Sequence, residues 1–287
     1  MATIENFATV RYTSGGVTTT TVSNLAEIAL ESSVTLTKVP LGTTYGEDSL
    51  LTYILTVQNT SGSVLNSVRI EDNLGTFVFG TTELTPLSYG GNAVLLIDGQ
   101  DSTALLTVES SQPSALVFTI PTLAAGATAN IVYNARVNEY APLEADATIT
   151  NTATLSADAE CADGTASATV TAVEGANVTV LKQMSPNPVV CGDTLTYSIK
   201  IYNYGNAAAE DVQVVDAFDP APAAITVTRN GVVLVATDYT YVDGVLTVPA
   251  DGATGDTVPA ATFTRDATTG VVSVVPGLVE YVITGTI

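Results

Sequence analysis

Histidine and tryptophan are both absent from this chain, and its 287 residues include only two cysteines and two methionines. Without histidine the usual Ser-His and Cys-His nucleophile pairs are excluded. No glycine-rich phosphate loop or metal-binding helix motif is found either. Scattered acidic residues do not single out a glycosidase pair, so an enzyme is not expected, and neither a cofactor nor a metal site is expected. Basic residues are scarce: eight Lys and Arg stand against 29 Asp and Glu, for a formal charge of −21. Such a surface repels phosphate backbones and anionic lipid, which argues against nucleic-acid and membrane partners. No apolar run approaches the roughly 20 residues that span a bilayer. The opening Met1-Ala2-Thr3-Ile4-Glu5-Asn6 has neither the basic segment nor the apolar stretch of a secretory signal, so synthesis without a recognisable signal peptide is expected.

Helical periodicity is nearly missing too, with Leu25-Ala26-Glu27-Ile28-Ala29-Leu30 as the one candidate. What fills the chain is short runs of Val, Thr, Ile and Tyr, punctuated by 12 prolines and 22 glycines. That is the composition of strands joined by turns, and the fold class is all-β. Cys161 and Cys191 lie in turn-like contexts. A disulfide between them, within one chain or between chains, is left open, and two lone cysteines make a poor metal site.

The chain also resembles itself. Val34-Thr35-Leu36-Thr37-Lys38 matches Val178-Thr179-Val180-Leu181-Lys182, and Leu51 to Asn59 matches Leu195 to Asn203. Val68 to Asp72 matches Val212 to Asp216, and subtracting Lys38 from Lys182 or Asp72 from Asp216 gives the same offset of 144. Two tandem domains follow, at 31–175 and 176–287, behind an N-terminal extension at 1–30. Two further matches break the tandem pattern. Ile4-Glu5-Asn6-Phe7-Ala8-Thr9-Val10 resembles Ile149 to Leu155, a closing strand of repeat one, and Ile131 to Ala135 resembles Val279 to Ile283, near the end of repeat two. Repeat two is therefore expected to lack a closing strand. An unpaired sheet edge is sticky. Residues 1 to about 22, turning at Ser14-Gly15-Gly16, would supply the strand to the next molecule through Ile4, Asn6, Ala8 and Val10, and a head-to-tail contact that does not close makes a filament.

Strand alternation sends Lys38 to the face of Val34 and Leu36, Asp72 to that of Val68 and Ile70, and Asn151 to that of Ile149 and Ala153. Lys182, Asp216 and Asn6 hold the corresponding places. Of the three lysines in the chain, two thus occupy one repeat position. A buried lysine must pair or react. Lys, Asn and Asp in an apolar core are the set for autocatalytic isopeptide formation: Lys38 with Asn151 and Asp72 within one chain, Lys182 with Asn6 of the next molecule and Asp216 across the joint. The other reading has the lysines snorkelling to solvent and the Asp and Asn residues making turn hydrogen bonds.

Lys182-Gln183-Met184-Ser185-Pro186, Val190-Cys191-Gly192-Asp193-Thr194-Leu195-Thr196-Tyr197, Asn203-Tyr204-Gly205-Asn206 and Val212 to Asp216 resemble the Ig-like surface repeat of uncharacterised function found in bacterial envelope proteins. Repeat one departs from it, with Leu41 to Asp48 replacing the Pro-containing loop and an insertion around residues 75 to 115. The pair is most similar to clostridial spore-appendage subunits. The resemblance implies tandem Ig-like Greek-key β-sandwiches, a homopolymer on a spore surface or in an extracellular appendage, and other appendage proteins as partners. The competing expectation is a surface adhesin that binds through Phe77-Val78-Phe79-Gly80 and Tyr89-Gly90-Gly91-Asn92.

Overall fold

The computed structural model describes every residue except Met1, Glu31, Pro113 and Glu160, with the side chains of Ala2 and Leu30 also left undescribed. Met1 and Glu31, the first residues of the expected extension and of repeat one, thus lie outside the described residues. Among the described residues all long elements are strands, and the one helical element is the single turn Thr103–Leu105.

The chain begins with a long two-stranded ribbon. β1 (Ala2–Asn6) and β2 (Thr9–Ser14) run out, and β3 (Val17–Val22) and β4 (Ala26–Leu30) run back. Gly15 and Gly16 make the tip with φ of +58° and +81°, where a residue without Cβ is favoured. The one stretch with a helical pattern, Leu25–Leu30, forms strand β4 over Ala26–Leu30, in keeping with the all-β reading, because Ile4 faces Ile28 and Asn6 faces Ala26 across the ribbon. Cross-strand pairing overrides the weak local helical pattern, and the ribbon extends past residue 22 to Leu30. Its described side chains are exposed, including Ile4, Phe7, Val10, Tyr12, Val22 and Ile28.

The rest of the chain divides into two sandwich units. The first comprises residues 32–138 and 149–170 beyond the ribbon; the second comprises 139–148 and 171–287. In the first, β5 (Val34–Pro40), β6 (Thr44–Tyr45), β7 (Leu50–Asn59) and β8 (Leu65–Asp72) are followed by β9 (Leu87–Ile97), β10 (Thr107–Gln112), β11 (Ala115–Leu123) and β12 (Thr128–Val137). The strands β13 (Thr148–Ser156) and β14 (Asp163–Ala172) close it. One sheet has the order β9-β12-β7-β5, with Gln100–Asp101 outside β9, and the other has the order β10-β11-β8-β13-β14-β6. Strict alternation on β7 and β12 buries Tyr53, Leu55, Val57, Ile131 and Tyr133 against Ile70, Phe118 and Ile120.

The second unit keeps one of these sheets: β15 (Val178–Ser185), β16 (Thr194–Asn203), then β17 (Ala209–Val212) and β18 (Val214–Ala217) of the facing layer, and β19 (Ala223–Arg229). After them come β20 (Thr240–Val242), β21 (Val245–Val248), β22 (Asp256–Val258) and β23 (Gly277–Thr286). The sheet order β15-β16-β23-β19 reproduces β5-β7-β12-β9. Asn59 and Asn203 are fully buried at matching strand ends, where their amides donate to loop carbonyls such as Ser63 O and Ala207 O, both at 2.8 Å. The facing layer is reduced to the pairs β17-β22 and β18-β21-β20. Whereas β8 lies between β11 and β13, β18 is an edge, and among the described residues no strand of this unit takes the place of β13 or β14. Relative to the first unit, two strands of this layer have no counterpart among the described residues, where the repeat comparison expected one to be missing.

Candidate functional site

In the first unit β5, β8, β12 and β13 bring Lys38, Asp72, Tyr133 and Asn151 to one level of the core. Lys38 Nζ donates to Asp72 Oδ2 at 2.5 Å, with both side chains fully shielded from solvent. The Tyr133 hydroxyl makes a short hydrogen bond to the same carboxylate oxygen. Asn151 Nδ2 in turn donates to the Tyr133 hydroxyl oxygen at 3.2 Å. Asp72 Oδ1 accepts the backbone N–H of Leu74 at 3.0 Å. The Lys38 ammonium lies 5.2 Å from the centre of the Tyr53 ring, which stacks on Tyr133. The Asn151 Oδ1 and the Tyr53 hydroxyl are buried and have no hydrogen-bond partner among the described residues.

Burial dominates the electrostatics. Desolvation pushes the Lys38 pKa down to about 8, with the Asp72 charge and hydrogen bond holding it partly up. The Tyr133 and Tyr53 hydroxyls are pushed up, first by desolvation and then by the Asp72 charge. Neutral amine is therefore accessible near physiological pH at a buried site that also holds an amide, a carboxylate and a phenol. Sequence alternation placed Lys38, Asp72 and Asn151 on inward faces, and all three are buried. It missed Tyr133, the link between the acid and the amide. Its signal was the inward tyrosine of Ile131-Val132-Tyr133, on the strand paired with the Tyr53 strand.

The second unit is different. Lys182 Nζ donates to Asp216 Oδ1 at 2.6 Å, beside the rings of Tyr197 and Phe218 at 5.3 and 5.2 Å. Here the lysine is not enclosed, since its side chain is 41 % exposed and every residue of β15 is exposed. Lys182 is directed at the buried acid and rings as Lys38 is, but its enclosure differs: β5 is covered by β14, where a Cβ on Gly164 would meet Leu36 Cβ at 3.4 Å, and among the described residues β15 has no such cover. Asp216 itself is buried, and its Oδ2 has no partner among the described residues. The expected match of Tyr281 with Tyr133 is corrected by the sheet register: Tyr133 faces Tyr53, and the residue facing Tyr197 is Ile283. Tyr281 instead donates to Asp256 Oδ2 at 2.6 Å, beside the Arg229 ion pair.

Asn6, with Ile4, Ala8 and Val10, is exposed on the ribbon. Cys161 and Cys191 are free thiols. No group of three or more His, Cys, Asp or Glu is arranged to hold a metal among the described residues.

Residues 161–222 match the model of the translocon-associated protein beta family. No curated protein sequence matches the chain. Solved structures similar to it include the T6 backbone pilin of serotype M6 Streptococcus pyogenes, at 11% identity and a TM-score of 0.36 over 81% of this chain and 66% of that one. BcpA, the major pilin subunit of Bacillus cereus, aligns at 12% identity and 0.34 over 96% and 73%. ACE19, the collagen binding subdomain of the Enterococcus faecalis surface protein ACE, aligns at 13% identity and 0.35 over 47% and 95%.

Proposed function

We propose that this chain is the structural subunit of an extracellular filament, on a spore or cell surface, and that the ribbon of each molecule completes the second unit of its neighbour. The observation that carries this reading is the agreement between the exposed ribbon and the β13–β14 pair, which has no counterpart among the described strands of the second unit. In the first unit the pairing marked by the Thr150–Thr169 and Thr152–Ser167 hydroxyl contacts sets Asn151 opposite Ala168 and Ile149 opposite Val170, all buried. In the ribbon Asn6 is opposite Ala26 and Ile4 opposite Ile28, all exposed. Inserted beside β18, Asn6 would take the place of Asn151 and could donate its amide N–H to the vacant Asp216 Oδ2. A buried carboxylate oxygen without a partner is costly, so the empty edge favours such a donor.

Covalent closure follows from the same chemistry. The neutral amine of Lys38 attacks Cγ of Asn151. A new Nζ–Cγ amide bond forms, the Cγ–Nδ2 bond breaks, and Asp72 carries a proton from Nζ to the departing nitrogen, so one ammonia leaves per bond. Lys182, Asp216 and the neighbour's Asn6 would perform the same step at each joint. The chain on this reading acts on no external substrate.

The test is a boiled, reducing denaturing gel of the purified protein with intact mass on each band. A ladder of multiples is expected, each band lighter by one ammonia per predicted bond. A single monomer band lacking two ammonia molecules would mean that the ribbon closes on its own chain and forms no filament, and a band of uncorrected mass would eliminate both amide bonds.

A further inference from the structure

We infer that each joint is also closed by a disulfide between Cys191 of the accepting subunit and Cys161 of the donating one; this rests on the ribbon exchange proposed above. Cys161 lies in the turn between β13 and β14 and is tied to the root of its own ribbon. Its carbonyl oxygen accepts the Ser33 backbone N–H at 2.9 Å and the Ser32 hydroxyl at 3.0 Å, just where the chain leaves β4 for β5. Its residue is only partly exposed, with φ of +59°.

Cys191 lies in a tight turn before β16, closed by Asp193 N to Val190 O at 2.9 Å and Val190 N to Asp193 Oδ2 at 3.0 Å. The same turn occurs in the first unit at Gly46–Ser49. There Ser49 O accepts from Val137 N at 2.9 Å, as Asp193 O accepts from Ile287 N at 3.1 Å. In the first unit this turn directly follows β6, the strand beside β14. When a ribbon occupies the β13–β14 place, β4 stands where β14 stands, with Ile28 and Leu30 in the places of Val170 and Ala172. The end of β4 then abuts the turn that carries Cys191, and Ser32, which holds Cys161, is two residues further on. An extended chain covers about 3.3–3.6 Å per residue, so both cysteines fall on roughly the same 10 Å of chain, each from a different molecule. Bridging needs Cα atoms about 5.5–6 Å apart. Residues 185–193 are exposed throughout, which leaves the Cys191 turn free to close that gap.

The oxidation balances against a small-molecule disulfide such as glutathione disulfide. Two S–H bonds are lost, one S–S bond joins the subunits, and the oxidant accepts both electrons and both protons as it becomes two thiols.

The experiment mixes isotopically heavy and light full-length subunits, assembles them with glutathione disulfide, confirms filaments by electron microscopy and digests without reduction. Heavy–light peptide pairs joining Cys161 to Cys191 are expected, lost in both Cys161→Ser and Cys191→Ser, with filaments persisting in each variant and the thiols of unoxidised filaments open to iodoacetamide. Filaments in which both thiols still alkylate after oxidation, or in which only unmixed Cys161–Cys191 pairs occur, would overturn the disulfide and leave the ribbon exchange standing. Absence of filaments from every preparation would overturn the exchange itself, and the disulfide with it. In Asn6→Ala subunits, which cannot form the joint amide, a ladder on a denaturing gel should collapse to monomer when reductant is added.

Discussion

Tyr133 and Ile283 hold the same station in the two repeats, one facing Tyr53 and the other facing Tyr197 across equivalent strand pairs. The exchange of a phenol for an alkyl group separates the two sites. In the first unit the hydroxyl spans acid and amide, so Asp72 Oδ2 is saturated and Asn151 is held from within. In the second, Asp216 Oδ1 meets the Lys182 ammonium with no phenol beside it, and Oδ2, the counterpart of the Asp72 oxygen that accepts the Leu74 N–H, has no partner among the described residues. On the filament proposal, the first site would close on itself and the second would receive.

Tyr133→Phe removes that bridge and keeps the ring that stacks on Tyr53 and Phe118. The Asn151 amide and one carboxylate lone pair then lose a partner in the core, at a cost of about 1–3 kcal/mol. Urea denaturation should register this loss, and intact mass against time should show slower loss of ammonia at Lys38–Asn151. Joint formation through Lys182, which has no tyrosine in that place, should keep its wild-type rate.

The Lys38–Asp72 pair is fully shielded, and breaking it one-sidedly strands a charge. In an Asn151→Ala background, which has no amide bond to lose, Lys38→Met should destabilise the first unit by about 3–5 kcal/mol. Adding Asp72→Leu should recover most of that, because a buried ion pair and a well-packed apolar pair are of similar worth. Chemical denaturation of the three proteins provides the comparison. A double variant as unstable as Lys38→Met would mean that packing around Asp72, and not its charge, dominates.

Much of this was legible because the two-residue period of a strand is a strong signal. The alternation that placed Val34, Val68 and Ile149 on inward faces also placed Lys38, Asp72 and Asn151 there, and the internal match aligns Asn6 with Asn151 in sequence. Other features depend on pairing partners that no local pattern specifies. The weak helical pattern at β4 is outweighed by the pairing of Ile28 with Ile4 across the ribbon, which its own residues do not specify. The Tyr133–Tyr281 match was shifted because short apolar strands resemble one another at several registers, and only ladder pairing with Tyr53 and Tyr197 decides between them. Lys182 shares its repeat position with Lys38, yet its exposure depends on a covering strand elsewhere in the chain, which the repeat pattern at Lys182 does not encode.

Ile28 is 64 % exposed on β4, so replacing it should leave both units folded. Ile28→Asp would place a carboxylate where the first unit buries Val170, and the lost burial alone is worth about 1.5–3 kcal/mol. At 1.4 kcal/mol per tenfold change, polymer formation should need at least roughly 10- to 100-fold more protein. Glu27→Gln, on the opposite face of the ribbon, should assemble as the wild type does. Sedimentation and negative-stain microscopy distinguish the two, and equal assembly by both variants would rule out burial of β4 in the joint.

The lowered pKa of Lys38 gives the first site a pH dependence of definite sign. For chain newly refolded from urea, the neutral amine is the attacking form, so ammonia loss should rise roughly tenfold per pH unit up to about pH 8 and then level off. In Asn151→Ala, where no bond can form, the same shift acts on stability. Its folded-state value of about 8 lies below the 10.5 of the unfolded chain. The unfolded state therefore binds more protons between those values, and stability should increase as pH rises through that range, by on the order of 1.4 kcal/mol per unit. Above about pH 10 the buried tyrosines reverse the trend: Tyr53 and Tyr133 are pushed up on folding, so their ionisation favours the unfolded chain. Urea midpoints of Asn151→Ala between about pH 7.5 and 9.5 test this directly against wild type, whose Lys38 no longer titrates once acylated. A rise in the variant alone is expected, and parallel curves would mean that Lys38 remains a free amine in both proteins.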